Sequence, residues 1–263
     1  MIDKHYPRKR FGQHFLHDQN IIDKIITAIN PSRKQTIVEI GPGQGAITLP
    51  LLKQTDNLHV VEIDRDLAKY ITELDETHGK IQMHCVDVLK FDFHKISNKK
   101  LKIVGNLPYN ISTPLIFHLL DQIDCIGEMI FMLQEEVVDR LTAEPGNKTY
   151  GRLSVMVQSQ CKVEKLFHVG AGAFKPPPKV DSAIVKFTPY EHAITKINNY
   201  AAFTLIVREC FSQRRKTLRN ALGKFLTSEQ IQSLDIDPGL RPERLTIHQF
   251  ASLANLYDDY MNQ

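Results

Sequence analysis

The sequence predicts an α/β protein in which a doubly wound parallel sheet is followed by a small all-helical domain. Short apolar runs alternate with segments of helical periodicity over most of the chain, a pattern typical of successive βαβ units. The glycine-rich segment 41–45 connects the first of these runs to a helix. Past Tyr190 the strand-like runs disappear, and apolar residues recur only at helical intervals. We therefore expect a sheet domain over residues 1–194 and a helical domain over residues 195–263.

The composition is that of an ordinary globular protein. Of the 263 residues, 42% are hydrophobic and 24% are charged, which excludes disordered and fibrous classes. No apolar run approaches the roughly 18 residues that a membrane-spanning helix needs, and segment 1–10 is not followed by the apolar core of a secretory signal. The sequence thus predicts a cytosolic protein with no membrane partner. Four widely separated cysteines favour small buried thiols over a zinc site or disulfides: Cys85, Cys125, Cys161 and Cys210.

The predicted elements follow one another along the chain. The first is an amphipathic helix that begins at the cap Asp18 and ends at Asn30-Pro31, with isoleucines on its packing face. Strands are predicted over residues 36–40, 58–62, 81–86, 101–105 and 129–133. Helices are predicted over residues 46–53, 65–74, 113–120 and 135–143. After the stiff segment Lys175–Lys179, a last strand over 180–189 is expected to pair at the far end of the sheet.

The glycines of segment 41–45 lie where the first strand turns into a helix. Glycine lets a backbone approach a ligand closely, and the N–H groups at a helix start can point toward it. Gly41-x-Gly43-x-x-Ala46 also satisfies a loose dinucleotide pattern. This Rossmann-like loop therefore fits NAD and an adenosyl ligand equally well.

Two carboxylates at the ends of the next strands narrow the choice of ligand. Glu62 ends the second strand, 21 residues after Gly41, where it can accept hydrogen bonds from both ribose hydroxyls. Asp87 ends the third strand, where it suits the exocyclic amine of an adenine ring. Together they favour an adenosyl sulfonium ligand. The alternative for Asp87 is a helix cap or a turn residue.

The tetrad Asn106-Leu107-Pro108-Tyr109 follows the fourth strand, at the sheet edge where open α/β folds bind ligands. The chemistry that uses such a tetrad is methyl transfer to an exocyclic amine. The Asn106 amide oxygen and a backbone carbonyl held by Pro108 would accept both amine hydrogens and raise the nucleophilicity of the nitrogen. Tyr109 would stack on the extruded adenine. The alternative is a proline turn in which Asn106 caps the helix that begins near Ser112.

Five segments spread over nearly the whole chain carry a family resemblance: Arg10-Phe-Gly-Gln-His-Phe-Leu16, Asn106-Leu-Pro-Tyr-Asn-Ile-Ser-Thr113, Tyr150-Gly-Arg-Leu-Ser154, Phe174-Lys-Pro-Pro-Pro-Lys-Val-Asp-Ser182 and Phe211-Ser-Gln-Arg-Arg-Lys216. With them the chain resembles the bacterial family of 16S ribosomal RNA adenine dimethyltransferases. The resemblance implies an S-adenosylmethionine-dependent methyltransferase that dimethylates N6 of two adjacent adenosines in a hairpin near the 3′ end of 16S RNA. It also implies a substrate presented by an immature 30S particle, and hence a role in small-subunit assembly.

The resemblance also implies which residues contact the cofactor: His14, Leu16, Gly41, Glu62, Asp87 and Asn106, with Gly43 in the same loop. Many members have Asn where this chain has His14, so the side chain at this position could be dispensable and the contact could come from the backbone. Phe174 precedes a proline run that could hold its ring on the target adenine, opposite Tyr109. A plain core phenylalanine is the equal alternative for Phe174.

The net charge of +3 says little about partners, but the charge is unevenly distributed. One basic cluster lies within residues 4–10. A second one, expected on a helix of the C-terminal domain, would track RNA phosphates: Arg214, Arg215, Lys216 and Arg219. A solvated helix face is the alternative for the second cluster.

Three other functions compete with this interpretation. A methyltransferase that modifies one adenine of 23S RNA would have a similar tetrad, but Asn110–Thr113 and Phe174–Ser182 favour the small-subunit enzyme. A non-catalytic ribosome-assembly factor would not need the intact glycine loop and tetrad. An NAD dehydrogenase would need a hydride-transfer group that the sequence does not offer. The predicted reaction requires no metal, and we expect a monomer.

Overall fold

The computed structural model describes residues 14–74, 76–213 and 215–261. The strands are β1 (Phe15–Leu16), β2 (Thr36–Ile40), β3 (Asn57–Glu62), β4 (Ile81–Cys85), β5 (Leu101–Asn106), β6 (Ile126–Gln134), β7 (Cys161–Val169), β8 (Phe174–Lys175) and β9 (Ser182–Pro189). The α-helices are α1 (Gln19–Ile29), α2 (Thr48–Leu52), α3 (Arg65–Glu73), α4 (Ser112–Leu120), α5 (Glu135–Leu141), α6 (Arg152–Gln158), α7 (Tyr200–Ser212), α8 (Leu218–Ala221), α9 (Ser228–Gln232) and α10 (Ile247–Met261).

Seven strands form the main sheet in the order β4-β3-β2-β5-β6-β9-β7. The first five are parallel, and β9 is antiparallel to β6. The predicted doubly wound α/β fold is confirmed. The prediction that the last strand lies at the far end of the sheet is wrong, because β7, which we did not predict, takes the edge beyond β9. Most of β7 is exposed or half-buried, as edge strands are, so its apolar pattern is weak.

A second, two-stranded sheet joins the start of the described chain to the segment before the prolines. β1 pairs antiparallel with β8, with Phe15 opposite Lys175 and Leu16 opposite Phe174. The N–H of His17 extends the ladder to the carbonyl of Ala173, at 3.0 Å. Two-residue strands leave no periodic pattern in a sequence, so this pairing was not predicted.

Helix α1 confirms the amphipathic helix and its cap. The Asp18 carboxylate accepts hydrogen bonds from the N–H groups of Asn20 and Ile21, at 2.9 and 3.2 Å. Four isoleucines of this helix are buried in a core that also contains residues of β2, β3, β5 and β6: Ile22, Ile25, Ile26 and Ile29. The isoleucine face is packing, as predicted.

The chain divides into two compact units at points that differ from the predicted boundary. The first unit comprises residues 1–138 and 163–189, and the second comprises residues 139–162 and 190–263. The boundary thus falls after Pro189 instead of near residue 195, and segment 139–162, expected in the sheet domain, is grouped with the C-terminal helices. Within the second unit Tyr150 contacts Phe211 edge to face at 6.2 Å. Tyr150 thus connects segment 139–162 to helix α7.

Among the residues that the structure describes, none of the helices has both the length and the apolar character needed to cross a bilayer. All four cysteines are free thiols. Cys125, Cys161 and Cys210 are buried as expected, whereas Cys85 at the end of the edge strand β4 is exposed.

Candidate active site

A cavity of about 310 Å³ opens where the parallel strands β2, β3 and β5 end. This is the edge at which open α/β sheets bind ligands, and the volume is in the range of small-ligand sites. Every predicted cofactor-binding and catalytic residue lines it: His14, Leu16, Gly41, Gly43, Glu62, Asp87, Asn106, Leu107, Pro108, Tyr109 and Phe174. The structure therefore brings together residues that lie up to 160 positions apart in the chain.

The glycine loop holds a left-handed backbone between β2 and the turn that precedes α2. Gly41 has a φ of 68° and Gly43 has a φ of 57°, values that side-chain-bearing residues rarely adopt. The N–H of Gly41 donates to the carbonyl of Val61 on β3, at 2.9 Å. A Cβ on Gly43 would lie 3.1 Å from the Phe15 ring. Glycine at position 43 thus lets β1 close over the loop.

Glu62 is the last residue of β3, and it is 7% exposed. Burial raises the pKa of its carboxyl to about 7. Its Oε1 accepts a hydrogen bond from the N–H of Asp64 at 2.8 Å, and this bond restricts the orientation of a carboxylate that lines the cavity. A carboxyl with a raised pKa in a cavity is a frequent sign of a binding site.

Glu39 also lines the cavity and was missed in the sequence. It is 1% exposed in the middle of β2, and burial raises the pKa of its carboxyl to about 7, with Glu62 adding to the effect. Its Oε2 has no hydrogen-bond partner within the described part of the chain. The available signal was a single acidic residue inside an otherwise apolar strand, Thr36-Ile-Val-Glu-Ile40. Such a carboxyl is costly to bury without a cationic or donor partner.

Asp87 follows β4 and lines the same cavity. Its Oδ1 accepts a hydrogen bond from the N–H of Leu89 at 3.0 Å and so caps the short 3-10 turn Val88–Lys90. The turn-cap role that we considered as an alternative is therefore present. Since a carboxylate offers two oxygens, this cap is compatible with a ligand contact.

Asn106 ends β5, and its side chain is oriented by the chain before β1. The Nδ2 group of Asn106 donates a hydrogen bond to the main-chain carbonyl of His14 at 3.2 Å. This bond identifies the amide nitrogen and leaves the amide oxygen as an acceptor for another group. The N-cap residue of α4 is Ile111, and no side chain among the described residues caps this helix, so Asn106 does not cap it.

His14 connects three parts of the site. Besides the carbonyl contact with Asn106, its ring Nδ1 donates to the carbonyl of Pro176 at 2.7 Å. The ring also lies over Tyr109, with 6.0 Å between ring centroids and an interplanar angle of 27°. Both the backbone and the side chain of His14 therefore belong to the cavity wall.

The rest of the tetrad forms a fixed turn. Leu107 is 1% exposed, and its N–H donates to the carbonyl of Met132 on β6 at 3.2 Å. The Pro108 ring restricts the backbone of Leu107, whose carbonyl precedes it. The Pro108 carbonyl accepts from the N–H of Ile111 at 3.1 Å. The carbonyl that directly precedes the Pro108 ring is therefore that of Leu107.

The two aromatic residues differ in exposure. Tyr109 is half-buried, and its hydroxyl forms a 3.0 Å hydrogen bond with Oγ of Ser182. Burial raises the pKa of the Tyr109 phenol above its usual value. Phe174 is 2% exposed and packs in the core with Leu16, while it also lines the cavity. The core packing that we gave as the alternative for Phe174 is present, and a stacking role stays a prediction.

The basic cluster of the second unit is only partly described. Arg215 and Lys216 are exposed in the connection between α7 and α8, not on a helix as we expected. Arg219 is exposed on α8. Arg214 and the basic residues of segment 4–10 lie outside the described residues.

Comparison with known proteins gives one family over nearly the full length. The sequence model of the family described as "Ribosomal RNA adenine dimethylase" matches residues 4–259. A protein of Nitrosococcus oceani named "Ribosomal RNA small subunit methyltransferase A" is 52% identical over 255 residues, covering 96% of this chain and 97% of that protein. A protein of the same name from Pseudomonas aeruginosa is 51% identical over 254 residues, covering 96% and 95%.

Solved structures agree on the fold. A dimethyladenosine transferase from Plasmodium falciparum has a TM-score of 0.79 at 29% identity, covering 91% of this chain and 96% of that one. The 23S rRNA methyltransferase ErmE has a TM-score of 0.74 at 24% identity, covering 93% and 99%. At this identity, the second likeness concerns the fold alone.

Proposed function

Because the chain belongs to the ribosomal RNA adenine dimethylase family and is an S-adenosylmethionine-dependent ribosomal RNA methyltransferase, we propose that it dimethylates N6 of two adjacent adenosines in a hairpin near the 3′ end of 16S RNA. The substrate is a 30S particle in the cytoplasm, and the enzyme acts as a monomer that takes part in small-subunit assembly. The observation that carries this proposal is a sequence identity of 51–52%, over almost the whole length of both chains, to proteins named for the small subunit.

The cavity fits S-adenosylmethionine. The ligand carries two positive charges, on its ammonium and sulfonium groups, and two ribose hydroxyls. The buried carboxyl of Glu39, with an oxygen that has no partner among the described residues, matches a cationic ligand group. Glu62 matches the ribose hydroxyls, and Asp87 matches the adenine amine. The left-handed backbone at Gly41 and Gly43 allows the ligand to lie close to the main chain.

When bound, this cofactor supplies a methyl group on a positively charged sulfur. Loss of the methyl group leaves a neutral thioether, which is a good leaving group. The chain then has to aim an amine that is a poor nucleophile, because its lone pair is delocalised into the purine ring. The amide oxygen of Asn106 and the carbonyl of Leu107 accept the two amine hydrogens, which favours a tetrahedral nitrogen and directs its lone pair. No side chain has to act as a strong base for this step.

Tyr109 binds the target base from one side. An adenine has to leave its stack to enter a cavity at the sheet edge, and stacking on an aromatic ring offsets part of that cost, about 1–3 kcal/mol per base. Phe174 completes the wall near the opposite side. Arg214, Arg215, Lys216 and Arg219 contact phosphates elsewhere on the particle.

The main competing substrate is 23S RNA. The fold likeness to ErmE is compatible with that substrate, but its identity is about half of that to the small-subunit relatives. A non-catalytic assembly factor is disfavoured because the glycine loop, both carboxylates and the Asn106 amide meet at one cavity.

The test uses purified protein, S-adenosylmethionine with a labelled methyl group, and both ribosomal subunits from cells that lack the modification. We expect label on 16S RNA of the 30S particle, recovered as N6,N6-dimethyladenosine. Asn106→Ala protein serves as the inactive control. Label on 50S RNA alone would overturn the substrate assignment, and no label on either subunit would favour the assembly factor.

A further inference from the structure

The residues that precede and begin β9 lie at the active-site edge because this strand is antiparallel. Its first residue, Ser182, pairs with Gln134, the last residue of β6. The carbonyl of Asp181, one position earlier, accepts a hydrogen bond from the N–H of Glu135 at 3.0 Å. Backbone hydrogen bonds thus hold residues 181 and 182 against the carboxyl end of a central strand, and neither residue lines the cavity.

Ser182 holds Tyr109. Its side chain is fully buried at 0% exposure, and its Oγ lies 3.0 Å from the Tyr109 hydroxyl. The hydroxyl of a tyrosine lies on the axis about which its ring flips, so this bond fixes where the axis points. Contact with the His14 ring then limits the ring plane. The half-buried Tyr109 ring is therefore anchored at its far end by a group that is itself fully buried.

Asp181 holds the segment that carries Phe174. Its Oδ1 accepts a hydrogen bond from the N–H of Ala171 at 2.9 Å. Ala171 begins the short 3-10 turn Ala171–Ala173, which leads directly into β8 and Phe174. The Asp181 carboxylate thus fixes the start of this turn. A charged acceptor makes a shorter and stronger bond to a backbone N–H than a neutral one does.

We propose that Asp181 and Ser182 are positioning residues that set the two aromatic walls of the target-base site in register, Ser182 through Tyr109 and Asp181 through the turn before Phe174. This inference rests on the proposed function. Neither residue touches the reacting atoms, so each acts through another group. The second methyl transfer depends on them most, because a monomethylated amine has only one hydrogen for Asn106 or Leu107 to accept.

The experiment follows methylation of 30S particles by Ser182→Ala, Tyr109→Phe and the double variant. Each single change removes the same hydrogen bond, from opposite partners. We expect kcat to fall about tenfold in all three, with KM for the particle and the affinity for S-adenosylhomocysteine within about twofold of wild type. Digestion of the RNA and mass spectrometry should find N6-monomethyladenosine accumulating, since the second transfer suffers more.

Ser159→Ala is the matched control, because Ser159 is also buried and its Oγ lies 3.3 Å from a tyrosine hydroxyl, that of Tyr200 in the second unit. It should leave kcat and the ratio of monomethylated to dimethylated product unchanged. Asp181→Asn keeps an acceptor for Ala171 and should retain most activity, whereas Asp181→Ala should accumulate monomethylated product.

A wild-type kcat and product ratio in Ser182→Ala would overturn the inference for Ser182. A loss of kcat in the double variant equal to the product of the two single losses would also overturn it, because the two changes would then act independently. If Ser182→Ala does not fold, Tyr109→Phe alone tests the same hydrogen bond. A wild-type product ratio in Tyr109→Phe would then overturn the inference for Ser182. Wild-type product from Asp181→Ala would remove the part assigned to Asp181. Absence of methylation by the wild-type protein would refute the proposed function instead.

Discussion

In the proposed reaction, Asn106 is the residue on which the transfer step depends most directly. Its amide nitrogen is already bonded to the His14 carbonyl, so the amide oxygen is the part that the substrate can use. A group whose largest role is a contact with the reacting amine stabilises the transition state more than it contributes to cofactor binding.

Asn106→Ala should abolish methyl transfer while leaving the affinity for S-adenosylhomocysteine within about tenfold of wild type. Isothermal titration calorimetry and single-turnover methylation measure the two effects. Asn198→Ala, at an exposed position of the second unit that does not line the cavity, is the control and should stay active. Turnover of Asn106→Ala at the wild-type rate would exclude the proposed amine contact.

Glu62 carries a pH dependence whose sign follows from its environment. Burial raises the pKa of its carboxyl to about 7, so that below this pH the free protein holds a proton that the unfolded chain releases near the ordinary glutamate pKa of 4.5. This contribution to stability is present at low pH and is lost as the pH rises toward 7. Ribose hydroxyls that donate to the carboxylate favour the ionised form, so ligand binding should release this proton.

The affinity for S-adenosylhomocysteine should therefore be about tenfold weaker at about pH 6 than at about pH 8. Calorimetry in buffers of different ionisation enthalpy would detect the proton released near neutral pH. Glu62→Gln should bind more weakly and lose this part of the pH dependence. An unchanged pH profile in that variant would assign the proton to another group, of which Glu39 is the nearest in character.

At the scale of elements, a buried lysine joins α1 to the sheet. Lys102 on β5 is 6% exposed, and its Nζ donates to the carbonyl of Ile29 at 2.6 Å, at the C-terminal end of α1. It also forms an ion pair of 2.9 Å with Glu128 on β6. A cation at this end of a helix satisfies carbonyls that lack a partner within the helix.

Lys102→Met should lower the free energy of unfolding by about 2–3 kcal/mol, because buried carbonyls lose their donor while the side-chain volume is nearly kept. Urea unfolding followed by circular dichroism measures this. Lys99→Met removes an exposed lysine three residues earlier and should change stability by less than about 0.5 kcal/mol. Equal effects of the two changes would mean that the link between α1 and the sheet contributes nothing.

At the scale of the whole molecule, the position of the charged residues is more informative than the net charge. The net charge is only +3, yet the exposed residues Arg215, Lys216 and Arg219 form a local excess in the second unit. Neutralised phosphates release counterions, and each one steepens the fall of affinity with salt.

Replacing Arg214, Arg215, Lys216 and Arg219 with Gln should weaken binding to 30S particles. The slope of log affinity against log salt should fall by about 0.7–0.9 for each phosphate that these side chains no longer neutralise. Affinity for S-adenosylhomocysteine should not change. The control replaces four exposed lysines of the first unit, Lys34, Lys53, Lys80 and Lys99. The same slope in both variants would exclude a specific RNA surface at 214–219.

The sequence by itself determined the features that depend on neighbouring residues. Alternation of apolar runs and helical segments predicted five parallel strands, and Asp18 marked the start of α1. The glycine loop, Glu62, Asp87 and the tetrad could be assigned to one edge because the carboxyl ends of parallel strands meet there. Each of these features depends on a few neighbouring residues, so it can be recognised in the sequence without knowledge of the packing.

Only the tertiary structure decided the contacts between distant segments. The bonds from His14 to Pro176 and from Tyr109 to Ser182 join residues 162 and 73 positions apart, and nothing in either local pattern announces the other. The order of β9 and β7, the unpartnered oxygen of Glu39 among the described residues, and the core position of Phe174 likewise follow from how the chain packs. Burial and pairing are properties of the folded chain as a whole, and this is why these contacts could not be predicted from the sequence.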